Sequence, residues 1–210
     1  MPYLQRTVEL ARRRRFVIAY DNPYSEITFD GYRAPSILEL EGARDVALEF
    51  HSLSKTFGMT GWRLGWAAGS RELIGALTRV KTYVDTGPFL AVQRAGAAVL
   101  DQAETIVPPL VTKFRERRDA AVAALRGVGF AVESPQATMY LWIPVRDGLG
   151  STEFSRRLLE DEGVLVLHGA AFGQGGEGFF RVALTVPEDR LREAAKRIGR
   201  CMEQIGVGAP

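Results

Sequence analysis

Val46-Ala47-Leu48-Glu49-Phe50-His51-Ser52-Leu53-Ser54-Lys55 runs from a short, mostly apolar strand straight into two hydroxyls and a lysine. A solubilising lysine has no reason to stand at the end of a buried strand. An amine held there partly desolvated, with other cations nearby, has a lowered pKa and can condense with an aldehyde. Only four of the 27 basic residues are lysines, Lys55, Lys81, Lys113 and Lys196, so any lysine chemistry uses one of these. Arg63 follows eight residues later in Gly61-Trp62-Arg63-Leu64-Gly65 and is a candidate both for that cationic neighbour and for a phosphate clamp.

Upstream, Phe16-Val17-Ile18-Ala19-Tyr20 is a continuous apolar run, the pattern of a parallel strand covered on both faces, and it ends in Asp21-Asn22-Pro23-Tyr24. Downstream, residues 64–68 read as a third strand ending at Gly69. Ligands of open α/β sheets lie at the carboxyl ends of parallel strands, so Asp21, Tyr24, Ser52, Ser54 and Lys55 are expected to converge there. A strand-end Asp also serves as a loop cap, and taken alone Asp21 reads either way.

Periodicity predicts helices over 3–14, 71–84, 89–102 and 104–126, with Pro108 and Pro109 near the first turn of the last. Beyond Gly127 and Gly129 the pattern changes: strands at 130–133 and 139–145, a helix at 151–162, strands at 164–168 and 179–184, and a helix at 187–205. That alternation predicts a second, smaller α+β unit beginning near residue 115.

In order and spacing, Asp21-Asn22-Pro23-Tyr24, Ser52-Leu53-Ser54-Lys55, Arg63, Gly169-Ala170-Ala171-Phe172-Gly173 and Gly178-Phe179-Phe180-Arg181 resemble the fold-type I, class I/II aminotransferases over essentially the whole chain. The resemblance implies an α/β fold in which residues 1–115 are the C-terminal part of a large pyridoxal-phosphate domain with a mixed sheet. Residues 116–210 would be the small C-terminal domain. It implies pyridoxal 5'-phosphate as cofactor, Lys55 as the Schiff-base lysine and proton shuttle, Asp21 at the ring nitrogen and Tyr24 at the ring oxygen. Ser52, Ser54 and Arg63 would bind phosphate, and Arg181 the substrate α-carboxylate. The reaction implied is amino transfer between an amino acid and a 2-oxo acid, by a homodimer when full length. The stretches around Asp21, Lys55 and Arg63 look most like the LL-diaminopimelate and alanine/aspartate branches. The family's phosphate loop, ring-stacking aromatic and ring-oxygen Asn belong to a first half that these residues do not contain, so the chain reads as the C-terminal half. An incomplete fragment that needs the other half is the alternative reading.

Composition excludes several classes. The formal charge of +2 gives no reason to expect nucleic acid or a membrane surface, and Arg12 to Arg15 reads as a solvated helix end. No apolar run is long enough to span a bilayer, and the single cysteine, Cys201, fits a reducing compartment, so the expectation is a cytoplasmic protein. Cys201 reads as a small core residue, and no metal site is expected. Ser52 to Lys55 also fits Ser-x-x-Lys, a serine nucleophile and its base, but the companion motifs of that chemistry do not follow. The glycine-rich run 173–178 lies between two strands and reads as a turn. His168 reads as a packed, hydrogen-bonded residue, and Tyr140, Trp142 and Phe172 as either pocket or core.

Overall fold

A computed structural model describes residues 2–146 and 149–206. Two compact units divide it, residues 1–111 and 112–210.

The first unit opens with helix α1 (Pro2–Arg14), which buries Val8 and Ala11 and places Arg12, Arg13 and Arg14 at the negative end of its dipole. Strands β1 (Ile18–Asp21), β2 (Ala47–Ser52) and β3 (Gly65–Gly69) form a three-stranded sheet in the order β1-β2-β3. β1 and β2 are parallel, and β2 and β3 antiparallel, so the sheet is mixed. Val8, Ile37, Ala43 and Ala47 make the core beneath it. Between β2 and β3 lies one helical turn, α2 (Leu53–Thr56). Two helices follow: α3 (Arg71–Val84), whose first turn is capped by the Ser70 hydroxyl on the Leu73 amide, and α4 (Leu90–Asp101).

The expected coverage of the first strand on both faces is not found. Phe16 and Val17 lie outside β1 and are exposed, and within β1 half-buried and exposed residues alternate. The third strand runs against its neighbour because the connecting residues 53–64 fold back on themselves, the Leu53 amide donating to the Leu64 carbonyl (3.1 Å), so β3 starts where β2 ends. The prolines also differ from expectation. Helix α5 (Ala103–Gly127) starts early enough to place Pro108 and Pro109 in its second turn.

The second unit contains the C-terminal part of α5, strand β4 (Tyr140–Pro144), helix α6 (Ser151–Glu162), strands β5 (Leu167–His168) and β6 (Phe179–Ala183), and helix α7 (Glu188–Gln204). The strands form an antiparallel sheet in the order β4-β6-β5. Alternation along β4 and β6 sends Leu141, Ile143 and Phe180 into a core shared with Phe154 and Leu158 of α6 and Leu191, Ile198, Cys201 and Met202 of α7. Phe180 stands edge-on to Phe130, with ring centroids 5.6 Å apart, and tilted against Phe154 at 4.9 Å. Burial pushes the Cys201 thiol up, which suits a core residue.

The strand expected at 130–133 has no partner strand among the described residues. Phe130 and Val132 point into the core, but the Val132 carbonyl accepts from Arg126 Nε (2.9 Å) and Nη2 (2.7 Å). An arginine side chain thus supplies donors that a neighbouring strand would otherwise give. Among the described residues, no helix is long and apolar enough to cross a membrane.

Candidate functional site

The mixed sheet brings three chain ends to one edge. β1 pairs Asp21 with Phe50, and the amide of Asn22 donates to the Phe50 carbonyl (2.9 Å), which levels the carboxyl ends of β1 and β2. β3 enters at that same edge, because Gly65 pairs with Ser52 in antiparallel register. A Cβ on Gly65 would sit 2.6 Å from the His51 carbonyl oxygen, so the close approach at this corner requires glycine. Asp21 and Tyr24, Ser52 to Lys55, and Arg63 therefore flank one edge.

Local hydrogen bonds set the lysine turn. The Ser52 hydroxyl accepts from the Ser54 amide (3.1 Å) and caps the turn that carries Lys55. The Leu53 amide donates to the Leu64 carbonyl (3.1 Å), and the Thr60 hydroxyl to the Ser54 carbonyl (3.0 Å). Ser54 is buried, and half-buried Lys55 holds Nζ 6.0 Å from the centroid of the Tyr24 ring. Arg63 adopts the left-handed conformation (φ 51°), unusual for a residue with a side chain, and its Nη1 donates to the Thr60 carbonyl (3.0 Å). Asp21 is exposed at the strand end. Lys55 Nζ thus stands over the Tyr24 ring, and sheet register places Asp21, Ser52 and Arg63 at their edge.

Sequence reading passed over Glu49. It is 1% exposed, and Oε1 accepts from Asn22 Nδ2 (2.9 Å) and faces His51 Nε2 at 3.0 Å. Oε2 accepts from the Ile37 amide (3.0 Å) and from the Ser36 hydroxyl. Burial pushes this carboxyl up, but hydrogen bonds from Ser36 and Asn22, with His51 alongside, outweigh it and hold the group below its usual range. His51 in turn stacks on Trp66, with centroids 5.1 Å apart. The available signal was one acid within an otherwise apolar strand.

Arg181 belongs to the second unit. On β6 it faces Trp142 of β4 and Leu167 of β5, and its Cζ lies 4.2 Å from the Tyr140 ring centroid and 4.6 Å from that of Phe172. Trp142 stands edge-on to Phe172 (5.5 Å) and stacks on Phe179 (5.6 Å). These residues line the sheet face away from the core, where Tyr140, Trp142, Phe179 and Arg181 border an open groove of about 1190 Å³. Rings over the faces of a guanidinium leave its N–H edge for a planar carboxylate. The turn that carries Phe172 is held by Glu177, whose carboxylate accepts from the Ser151 amide (2.6 Å) and hydroxyl (3.0 Å). Those two bonds, the amide's first, keep the Glu177 carboxyl below its usual range. The Ser151 hydroxyl itself accepts from the Ala170 amide (3.2 Å). His168 is half-buried, its Nδ1 3.4 Å from the Thr152 hydroxyl.

The sheet edge offers the donor set a phosphorylated pyridine aldehyde requires: an amine in a half-buried turn, a carboxylate, a phenol, hydroxyls and a guanidinium. No cluster of His, Cys, Asp or Glu suited to a metal ion occurs among the described residues.

A model of the family described as "Aminotransferase class I and II" matches residues 2–198. An LL-diaminopimelate aminotransferase of Moorella thermoacetica is 43% identical over 205 residues, 98% of this chain and 53% of that protein. Its counterpart in Aquifex aeolicus is 46% identical over 198 residues, 94% of this chain and 51% of that one. Among solved structures, a probable N-succinyldiaminopimelate aminotransferase from Thermus thermophilus superposes with a TM-score of 0.88 at 39% identity, covering 95% of this chain and 54% of that one. The chain spans about half the length of the curated relatives it matches.

Proposed function

This chain belongs to the class I and II aminotransferases, and on that premise we propose that it moves an amino group between an amino acid and a 2-oxo acid, with Lys55 as the reacting amine. The observation that carries the assignment is the edge where β1, β2 and β3 meet, with Lys55 Nζ beside the Tyr24 ring. Pyridoxal phosphate, the cofactor of the family, supplies an electron sink for charge left on the amino acid's α-carbon. The remaining work falls to side chains. Lys55 would hold the cofactor through its aldehyde and is placed to carry the proton of the amino acid's α-carbon. Asp21 would keep the ring nitrogen protonated, and Tyr24 would donate to the ring oxygen. Ser52, Ser54 and Arg63 bind phosphate, and Arg181, with its faces covered by aromatic rings, takes the α-carboxylate.

The names of the curated relatives support LL-diaminopimelate as the amino acid over alanine or aspartate. We also propose a cytoplasmic location and, for the full-length protein, a homodimer. Exposed Val80, Tyr83, Val84 and Phe89 on and after α3 support association. The family match runs through Ser52 to Lys55 and leaves the acyl-hydrolase reading without support.

A second reading is favoured by length: these residues act only together with the other half of the family's fold. Both readings are tested by incubating the chain with pyridoxal phosphate, trapping with borohydride and mapping the label by mass spectrometry. The expected label is on Lys55 and is lost in Lys55→Ala. Label that appears only when a relative's N-terminal half is added supports the second reading. Label on Lys81, Lys113 or Lys196 instead, or none in either condition, overturns both. Initial rates with LL-diaminopimelate, alanine and aspartate as donors then decide the substrate.

A further inference from the structure

We propose that Glu49 is the positioning residue of the Lys55 edge, tying the Asp21–Tyr24 loop and the Ser52–Lys55 turn to one buried carboxylate. The functional part of this proposal rests on the reading of Lys55 given above.

The geometry is unusual for a strand residue. One oxygen, Oε1, bridges Asn22 Nδ2 (2.9 Å) and His51 Nε2 (3.0 Å). Asn22 directly follows Asp21, and His51 directly precedes Ser52. That oxygen therefore joins the two segments whose side chains must be held in fixed relation for the lysine to work. The second oxygen anchors the pair to the unit's core through the Ile37 amide (3.0 Å) and the Ser36 hydroxyl, beside fully buried Ile37. His51, stacked on Trp66, extends the link to β3, the strand that follows Arg63.

Each of these contacts presents a hydrogen to the carboxylate, so an acceptor with two free oxygens is needed. Glutamine keeps the shape, but its NH2 turns one acceptor into a donor, and either the Asn22–His51 side or the Ile37–Ser36 side must lose its partner. Glu49 makes none of the contacts assigned to the cofactor. Its effect passes through Asn22 and His51.

The test compares the 210-residue chain with its Glu49→Gln and Asn22→Ala variants. Amide hydrogen exchange is followed by residue, and borohydride trapping of pyridoxal phosphate on Lys55 is measured alongside. In Glu49→Gln, exchange at Asn22, Tyr24 and residues 52–55 should rise at least tenfold while the β2–β3 ladder at 48–50 stays protected. In Asn22→Ala, which cuts one link and spares the core anchor, only the amides of residues 22 and 24 should open. The concentration of pyridoxal phosphate giving half-maximal label should rise on the order of ten- to a hundredfold in Glu49→Gln, the range expected for one lost charge-assisted hydrogen bond. A merely structural role raises exchange through the whole sheet together, and that result overturns the proposal, as does unchanged exchange in both variants. Selective opening of the two segments in a chain whose Lys55 takes no label, with or without a relative's N-terminal half, supports the positioning of the loops and overturns the assignment of Lys55.

Discussion

Gly169 and Gly176 meet back to back in the second unit, and replacing the latter by alanine puts that contact to the test. A Cβ on Gly176 would lie 2.1 Å from the Gly169 carbonyl oxygen and 2.8 Å from its carbon. The reciprocal Cβ on Gly169 would lie 1.9 Å from the Gly176 oxygen. The obstruction is backbone on both sides, so no side-chain rotation relieves it, and one turn must retreat by about 1 Å. The retreat pulls on Glu177 and its two bonds to Ser151, and on the Ala170 amide bonded to the same hydroxyl. Overpacking of this kind costs about 3 kcal/mol, the upper end of the usual range, because the site cannot yield. For a unit of about 100 residues, that lowers the melting temperature by about 12–24 °C. Gly175→Ala is the internal control, since its Cβ meets nothing within 4 Å and its φ needs no glycine. It should be neutral or slightly stabilising through the unfolded chain. Differential scanning calorimetry reads both, and near-ultraviolet circular dichroism reports Trp142, which stands edge-on to Phe172 of the displaced turn. Melting temperatures of the two variants within about 2 °C of each other would refute the reasoning.

Phe180→Ala empties the centre of the Phe130–Phe154–Phe180 cluster and should cost about 3–5 kcal/mol, read by urea unfolding. The Glu49 carboxyl is held below its ordinary range in the folded protein, so its contribution is complete above about pH 4.5 and is lost as pH falls through the depressed value. Glu49→Gln should therefore have a flatter dependence of melting temperature on pH below about 4.5, and parallel profiles would contradict this. Asp21→Ala should reduce amino transfer far more than Tyr24→Phe, since one removes the charge that sustains the electron sink and the other a single hydrogen bond; equal rates would reverse the ring orientation proposed. Arg181→Lys keeps the charge but loses the planar fork between Tyr140 and Phe172, so KM for the amino acid should rise about ten- to a hundredfold with a smaller change in kcat, as measured by initial rates.

Periodicity and punctuation were enough for much of the fold. Helices at 71–84 and 151–162 were readable because the apolar spacing is regular; the structure adds the Ser70 cap at the start of one and Gly163, left-handed, at the end of the other. Lys55 stood out because a charged residue directly after a buried strand needs a reason, and its spacing from Ser52 and Arg63 carried the family resemblance. Other features had no local signal. The direction of β3 depends on how the 53–64 turn folds back, and that direction brings Arg63 to the Lys55 edge. The unpaired segment at 130–133 alternates like a strand, yet Arg126, several residues earlier on a helix, takes its carbonyl. Glu49 is the extreme case. Its partners Asn22, Ser36 and Ile37 lie 27, 13 and 12 residues away, so no pattern along the chain foretells them. The sequence by itself determined most of the element types, singled out Lys55 and set the chemistry to expect, because these follow from side-chain period and from which groups stand at strand ends. Only the tertiary structure decided which ends share an edge and which buried carboxylate joins them. Hydrogen bonds between distant segments exist only once the chain has closed on itself.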